Sequence, residues 1–322
     1  MQYTDIKDVN SNKSWSEASK YFKISSGTLI QLSKTSNRYS RLYDVSEKDV
    51  ELFKLLYGKN YYKARQGVEL TPREVYVFEK DSNGTYSNVN KKGTKIKPLH
   101  KHHLSLEKDI MRPLIQSFNV DNFLINKDRI QYGLIPYDFK QNLYSQQELL
   151  KNYPKSYSYL LEQKEFIELQ SARSRAMARG KEFYALSKLG AYSTFEYAVA
   201  FRDNSNMKAS FIDNTGNIKL FPVKHAPYIS RDINDRPITR DEAVYVAGIL
   251  NTPIIRKYFK ATYSGRSYSI NFDINIPKYT GTDLQKKIVN GGEKVIQGLA
   301  SYDDVIGQIQ NNYIEMLKKL SL

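Results

Sequence analysis

The sequence predicts an α+β fold: a β-rich recognition body with long helices and a helical C-terminal end. Three observations predict it. Short β-branched and aromatic runs bounded by Gly, Pro, Asn and Asp recur through the first two thirds of the chain, and helix-spaced apolar stripes fill the last third. No Pro/Gly/Ser-rich linker or fixed-period repeat divides the 322 residues. We therefore divide the chain at 1–235, a mixed α and β body, and 236–322, a helical part that packs on the body or on a partner.

The elements follow in order. Residues 16–22 read as a short helix after Trp15, and Thr28 to Leu32 as a strand. Ser46 is a good N-cap, and Val50, Phe53, Leu55 and Leu56 form an apolar stripe that Gly58 stops. Val75 to Phe78 reads as a strand, and the Asp81–Gly84 turn carries a hairpin into Tyr86. Strands are expected at Phe118 to Leu124 and Ile130 to Ile135. From Pro154, well placed in a first helical turn, one long helix is expected to Ala178, with Gly180 as its stop. Phe195 to Phe201 and Ala209 to Ile212 read as a hairpin around Asp203–Asn206. Asp241–Glu242 opens a helix through Leu250, and Thr252 caps a second that begins at Pro253. Leu284, Ile288, Val295 and Leu299 are helix-spaced, with Gly291–Gly292 as an expected interruption. Val305, Ile309, Tyr313, Met316 and Leu320 form a cleaner one-sided stripe.

Charge narrows the function. With 49 Lys plus Arg against 34 Asp plus Glu, the chain carries +15, and polyanions become the leading class of partner. Zero cysteines exclude disulfides, thiolate zinc sites and a cysteine nucleophile. The first residues carry no basic start followed by an apolar stretch, and no apolar run approaches the roughly 18 residues that span a bilayer. A cytoplasmic location and no membrane partner are expected.

The usual reactive motifs are absent: no Gly-x-Gly-x-x-Gly, phosphate loop, His-Glu-x-x-His or Gly-x-Ser-x-Gly occurs. An amino-methyltransferase tetrad is missing too, because Asn251-Thr252-Pro253-Ile254 has one proline and no aromatic. His100, His102 and His103 cluster among Lys91, Lys92, Lys95, Lys97 and Lys101, surroundings that repel a cation and suit a phosphate-facing loop. No metal site is assigned. Asp138 with Glu162-Gln163-Lys164 fits the letters of a Mg²⁺-dependent endonuclease, but places Glu-x-Lys inside the long helix rather than on a strand. That nuclease is one alternative; a protein that binds nucleic acid through charge alone is the other.

Three constellations point to DNA. Lys63 to Phe78 sets Arg65, Gln66 and Arg73 about a Gly/Pro-punctuated approach to a strand. Arg pairs bidentately with guanine and Gln with adenine, and Gly67 would let the backbone come close to a duplex. The competing reading pairs these arginines with acids such as Glu69 and Glu74. Arg173, Arg175, Arg179 and Lys181 concentrate four cations without an acid, where a helix C-terminus also favours them. The hydroxyl-rich loop around Gly265-Arg266-Ser267 supplies donors suited to the DNA backbone. Arg65, Gln66 and Arg73 are the candidates for base or groove contacts. Lys91, Lys92, Lys95, Arg173, Arg175, Arg179 and Arg266 are the candidates for phosphates.

These strings, in order, resemble a known family. They are Ala64-Arg65-Gln66-Gly67 with Thr71-Pro72-Arg73, Leu106-Glu107-Lys108-Asp109-Ile110 with Arg112-Pro113-Leu114-Ile115, and Tyr153-Pro154-Lys155-Ser156-Tyr157 before the basic Arg173–Arg179 segment and Phe183-Tyr184-Ala185-Leu186. Asp241 to Thr252, Gly265-Arg266-Ser267 and Ile274-Asn275-Ile276-Pro277 complete the set, which spans roughly residues 60 to 280. The chain is similar to the target recognition region at the C-terminal side of large adenine-N6 DNA methyltransferases, including fused type IIG restriction-modification enzymes and phage-defence methylases. The resemblance implies a module that grips double-stranded DNA and reads a short site while an adenine is flipped into a methyl-transfer pocket. It also implies no catalytic residue and no cofactor in this chain. S-adenosylmethionine would belong to a methyltransferase domain or subunit, with or without a nuclease, so the chain would be a fragment or a separate specificity subunit.

Overall fold

The computed structural model describes residues 28–32, 42–89, 101–169, 180–202, 206–262, 270 and 272–321. Helices and sheets are mixed, as an α+β class requires. Strands β1 (Thr28–Gln31) and β2 (Leu42–Val45) form an antiparallel pair, followed by α1 (Val50–Leu56), which buries Phe53 and Leu56. Strand β3 (Tyr62–Arg65) and the helical turn α2 (Arg73–Tyr76) lead into β4 (Val77–Lys80), β5 (Tyr86–Asn88), β6 (Met111–Ile115) and β7 (Gln131–Leu134). Three short helices follow, α3 (Gln146–Asn152), α4 (Pro154–Glu162) and α5 (Lys164–Glu168). The second set of strands is β8 (Tyr197–Phe201), β9 (Ala209–Asp213), β10 (Phe221–Pro222) and β11 (Tyr228–Asp232). Helices α6 (Arg240–Leu250), α7 (Pro253–Thr262), α8 (Asp283–Ile296) and α9 (Tyr302–Ser321) close the described chain.

Two sheets carry the architecture. A five-stranded sheet has the order β10-β6-β7-β4-β5, and a four-stranded sheet the order β3-β11-β8-β9. The five-stranded sheet buries Phe78, Leu114 and Leu134 against Leu149, Tyr157, Leu160 and Ile167 of α3–α5. The four-stranded sheet packs on the C-terminal helices, and strand alternation fixes the faces. Val199, Phe201 and Ile229 enter the core shared with α6–α9. Ala198, Ala200 and Tyr228 turn the other way, toward Ile115 at the end of β6. Helix α6 is buried at every position from Ala243 to Leu250, the pattern of a helix enclosed on all sides.

Caps explain where the helices start. Thr239 accepts from Glu242 N at 3.3 Å, while the Glu242 carboxylate accepts from Thr239 N at 2.8 Å. Glu107, distant in sequence, caps α4 by accepting from Lys155 N and Ser156 N, both at 2.9 Å. Asn251, fully buried after α6, accepts from Ala209 N at 2.9 Å and donates to Ala209 O at 2.7 Å, tying β9 to the helix layer.

Several expectations need correction. Residues 73–76 form a helical turn rather than the start of a strand, since Val75 N and Tyr76 N both donate to Pro72 O, and the strand begins at Val77. Phe118 to Leu124 is no strand. Asn119 accepts from Gln116 N at 2.9 Å and donates to Asn126 O at 3.0 Å, so side-chain bonds replace the ladder. The long helix from Pro154 breaks at Gln163, a buried residue whose N–H is shared between Tyr159 O and Leu160 O; residues 170–179 lie outside the described set. The expected helix at 16–22 also lies outside it, as do residues 203–205 of the hairpin turn. Gly291 and Gly292 do not interrupt α8. They are crossing points: a Cβ on Gly292 would lie 2.7 Å from Val244 Cγ1, and one on Gly291 would lie 2.9 Å from Ile309 Cγ1.

Candidate nucleic-acid interface

Four described cations, Lys63, Arg65, Arg231 and Arg236, gather at the pairing of β3 with β11. Tyr62 and Ala64 point inward and are buried, so period-two alternation turns Lys63 and Arg65 outward. On β11 the register shifts between Ile229 and Arg231, and that irregularity sets Arg231 opposite Lys63. The turn that follows holds Asp235 in the left-handed region at φ 59°. It is pinned by Asp232, whose carboxylate accepts from Asn234 N at 2.8 Å and Arg236 N at 3.0 Å.

Three cations thus share two carboxylates, and a fourth, Arg231, binds the turn's backbone. Asp235 accepts from Lys63 Nζ at 3.2 Å and from Arg65 at 3.3 Å, and its backbone oxygen accepts from Arg231 at 2.5 Å. Asp232 pairs with Arg236 at 2.7 Å. The hydrogen bond from Lys63, with the charges of Lys63 and Arg65, holds the Asp235 carboxyl below its ordinary range. For Asp232, burial pushes the pKa up, but hydrogen bonds from Arg236 and Asn234 outweigh it and the net shift is downward. Two aromatic rings flank the group. The Arg65 guanidinium lies 4.7 Å from the Tyr192 ring centroid, and Tyr61 Oη accepts from Arg236 at 2.9 Å. Arg65 keeps 31% of its side chain exposed, and its Nε is buried without an acceptor.

The structure separates the residues that the sequence grouped. Arg65 ends β3 in the four-stranded sheet, whereas Arg73 opens α2 at the approach to the five-stranded one. Arg73 is half-buried and donates to Gln131 Oε1 at 2.7 Å; burial lowers its pKa, opposed by the charge of Glu74. It lines a cleft of about 390 Å³ together with Lys224, His225 and Phe166. Gln66 is half-buried at the end of β3. The pairing of Arg65 with Glu69 is replaced by its pairing with Asp235, and Glu69 binds Lys224 at 2.5 Å.

Gly67 is a correction. Its close approach is to this chain's own backbone, because a Cβ there would lie 2.1 Å from Pro222 O. Val68 N donates to Pro222 O at 3.0 Å and Lys224 N donates to Val68 O at 3.1 Å. Residues 67–70 are therefore a strap crossing between the sheets, with Val68 and Leu70 buried, and not a free loop offered to a duplex.

Lys91, Lys92, Lys95, Arg173, Arg175, Arg179 and Arg266, all expected at phosphates, lie outside the described residues, as does His100. His103 is exposed and contacts Asp81 at 3.1 Å. The letters of the nuclease alternative have other employment. Asp138 accepts from Asn142 N at 2.7 Å, Glu162 pairs with Lys101 at 2.9 Å, and Lys164 sits 5.3 Å from the Phe183 ring. Among the described residues no group of three or more His, Asp or Glu side chains is placed to hold a metal, and no helix is long and apolar enough to cross a membrane. Sequence reasoning passed over Lys63, Arg231, Arg236, Tyr61 and Tyr192. Alternation along β3 could have found Lys63, but the others depend on strand pairing.

No family model matches the chain, and no curated protein matches it by sequence. Among solved structures, the type IIL restriction-modification enzyme MmeI in complex with DNA aligns with 92% of this chain at 12% identity and a TM-score of 0.47. The chain spans 38% of the length of that enzyme's chain.

Proposed function

We propose that this chain is a double-stranded DNA recognition module. It would grip the backbone through Lys63, Arg65, Arg231 and Arg236 and read a short site for an S-adenosylmethionine-dependent adenine methyltransferase domain of a restriction-modification system. The observation that carries the reading is the gathering of four cations about the Asp232–Asp235 turn on one strand pair of a +15 chain. Two tyrosines beside them supply hydrogen bonding and stacking. Lys91, Lys92, Lys95, Arg173, Arg175, Arg179 and Arg266 would add phosphate contacts, and Arg73 would reach a base edge. The methyltransferase partner rests on the family resemblance of the sequence strings. Catalysis and cofactor belong to that partner in this reading.

Duplex titrations over a salt series test it. Arg236→Ala is expected to weaken every duplex alike and lower the salt slope by about 1, the signature of one lost phosphate contact. Lys92→Ala is expected to act the same way, whereas Arg73→Ala should relax selectivity at one position of a selected site. Affinity that is indifferent to salt, or identical effects of Arg73→Ala and Lys92→Ala, would remove the assignment.

A further inference from the structure

A cavity of about 490 Å³ lies between the loop after β7, the turn before β8 and the end of β9, with Ser193 and Pro237 of its lining adjoining Tyr192 and Arg236 of the cation cluster. Its volume falls within the range of about 300–1,000 Å³ typical of small-ligand sites. Four rings wall it, Phe139, Phe195, Tyr197 and Phe221, and Gln141 and Thr194 supply polar groups. Gln141 is 1% exposed, held in the left-handed region at φ 66° by a turn in which its N–H donates to Asp138 O at 3.1 Å. The fold thus holds an uncommon backbone conformation and buries an amide beside the cavity.

The orientation of that amide follows from its neighbour. Thr194 Oγ1 gives its single proton to Phe139 O at 2.7 Å, so toward Gln141 it acts only as an acceptor, and Gln141 Nε2 donates to it at 3.2 Å. Gln141 Oε1 is then the remaining atom, and it is buried with no hydrogen-bond partner. A buried acceptor left unmade is costly, and an occupant bearing an N–H supplies what is missing. At the mouth, Phe139 is 60% exposed with the Arg112 guanidinium 4.5 Å from its ring. Lys219 and Glu196 line the cavity, and Lys140 and Asp138 flank Phe139, so Arg112 tips the balance at the mouth to positive.

Flat aromatic walls, an acceptor awaiting an N–H and a cationic rim describe one chemistry, a planar nitrogen heterocycle attached to a phosphate. We propose that this cavity binds a single unstacked nucleotide, its base between the rings with an N–H toward Gln141 and its phosphate at the cationic rim. The inference rests on the nucleic-acid reading above. The nucleotide can come from DNA, as a base turned out of the duplex, or from solution as a free mononucleotide.

Two arms separate these sources. In the first, dAMP, dCMP and dGMP are titrated calorimetrically into the whole chain beside deoxyribose 5-phosphate, which lacks a base. In the second, a duplex with one base opposite an abasic position is compared with the fully paired duplex of the same sequence. Base-dependent binding in the first arm assigns the cavity to free nucleotides; preference for the unpaired base in the second alone assigns it to DNA. Either gain is expected to fall tenfold or more in Gln141→Asn, a residue that tolerates the left-handed backbone but carries a shorter amide. Phe139→Ala, exposed and so harmless to folding, is expected to lose about 5- to 100-fold through lost stacking. If neither arm shows a gain that depends on Gln141 and Phe139, the proposal is overturned. Should paired duplex still bind in that case, the recognition reading stands without it; should dAMP bind while no duplex does, the cavity stands and the duplex reading falls.

Discussion

Replacing Gly67 with alanine tests how the two sheets are joined. The added Cβ would sit 2.1 Å from Pro222 O and 2.6 Å from Val223 C, both rigid backbone atoms, so the strap must move by about 1 Å to regain ordinary contact. Overpacking of this kind costs about 1–3 kcal/mol. The displacement also strains the bonds of Val68 N to Pro222 O (3.0 Å) and Lys224 N to Val68 O (3.1 Å), each contributing about 1 kcal/mol. A total of about 3–5 kcal/mol, at about 2 °C per kcal/mol for a chain of this size, lowers the melting temperature by about 6–10 °C. Differential scanning calorimetry of parent and variant at equal concentration measures it. A variant that melts within 2 °C of the parent and loses only duplex affinity would refute the packing argument and return Gly67 to a role against DNA.

Three further perturbations follow from the structure. Asn251→Leu removes both bonds to the Ala209 backbone, 2.9 and 2.7 Å, and leaves that buried N–H unpaired, while Ala209 O keeps its bond from Phe123 N at 2.8 Å; a loss of about 2 kcal/mol in urea unfolding is expected, and a loss below about 1 kcal/mol would contradict it. Gly292→Ala should destabilise by about 1–3 kcal/mol, because its Cβ would meet Val244 and Phe123 within 2.9 Å, whereas Gly307→Ala, with open space around it in α9, should stabilise by up to about 1 kcal/mol. Opposite signs in the two melting temperatures check the pair. For Glu107, burial raises the pKa, but the hydrogen bonds from Ser156 and Lys155 outweigh it and the folded value lies below the ordinary 4.5. Its capping contribution is therefore complete above that pH and lost as the pH falls through the folded value. Glu107→Gln should cost about 1 kcal/mol at pH 7, and the gap between parent and variant should narrow only once the pH has fallen below the ordinary 4.5; a gap that stays constant as the carboxyl is protonated would show that the charge is irrelevant.

What the sequence disclosed was local. The helices opening at Asp241 and Pro253, the terminal stripe from Val305 to Met316 and the hairpin across Asp81–Gly84 rest on neighbouring residues, and all occur; the expected Thr252 cap does not, because its hydroxyl donates to Ile249 O at 2.8 Å and Ile254 N donates to Gln310 Oε1 at 2.9 Å. Misreadings arose where distant partners decide. Pro113 disguised β6, whose pairing with Gln131–Leu134 accommodates it, and the Asn119 side chain diverted an apparent strand into a turn. Gln163, placed inside one long helix by the sequence, is buried at a break in it. At the candidate interface the sequence sets Arg65 in a Gly/Pro-punctuated loop, whereas it ends strand β3. Arg231 and Arg236 could not be named from the sequence, because a register irregularity in β11 and the Asp232 turn bring them beside β3. Gly67 was chosen rightly as a close-approach glycine, but its neighbour is Pro222.

The core beneath the four-stranded sheet takes Ile30 and Phe53 from one end of the described chain and Tyr313 and Leu317 from the other. Tyr313 Oη completes the closure by donating to Asn275 O at 2.7 Å. Contacts between such remote segments are slow to establish, because a large loop must close before any of them is rewarded. The lid on β8 and β9 is α6, and α9 lies on the far side of that helix layer. Helix α9 packs chiefly on α8 and α6, so a nick within residues 302–321 would uncover their apolar faces far upstream of the cut.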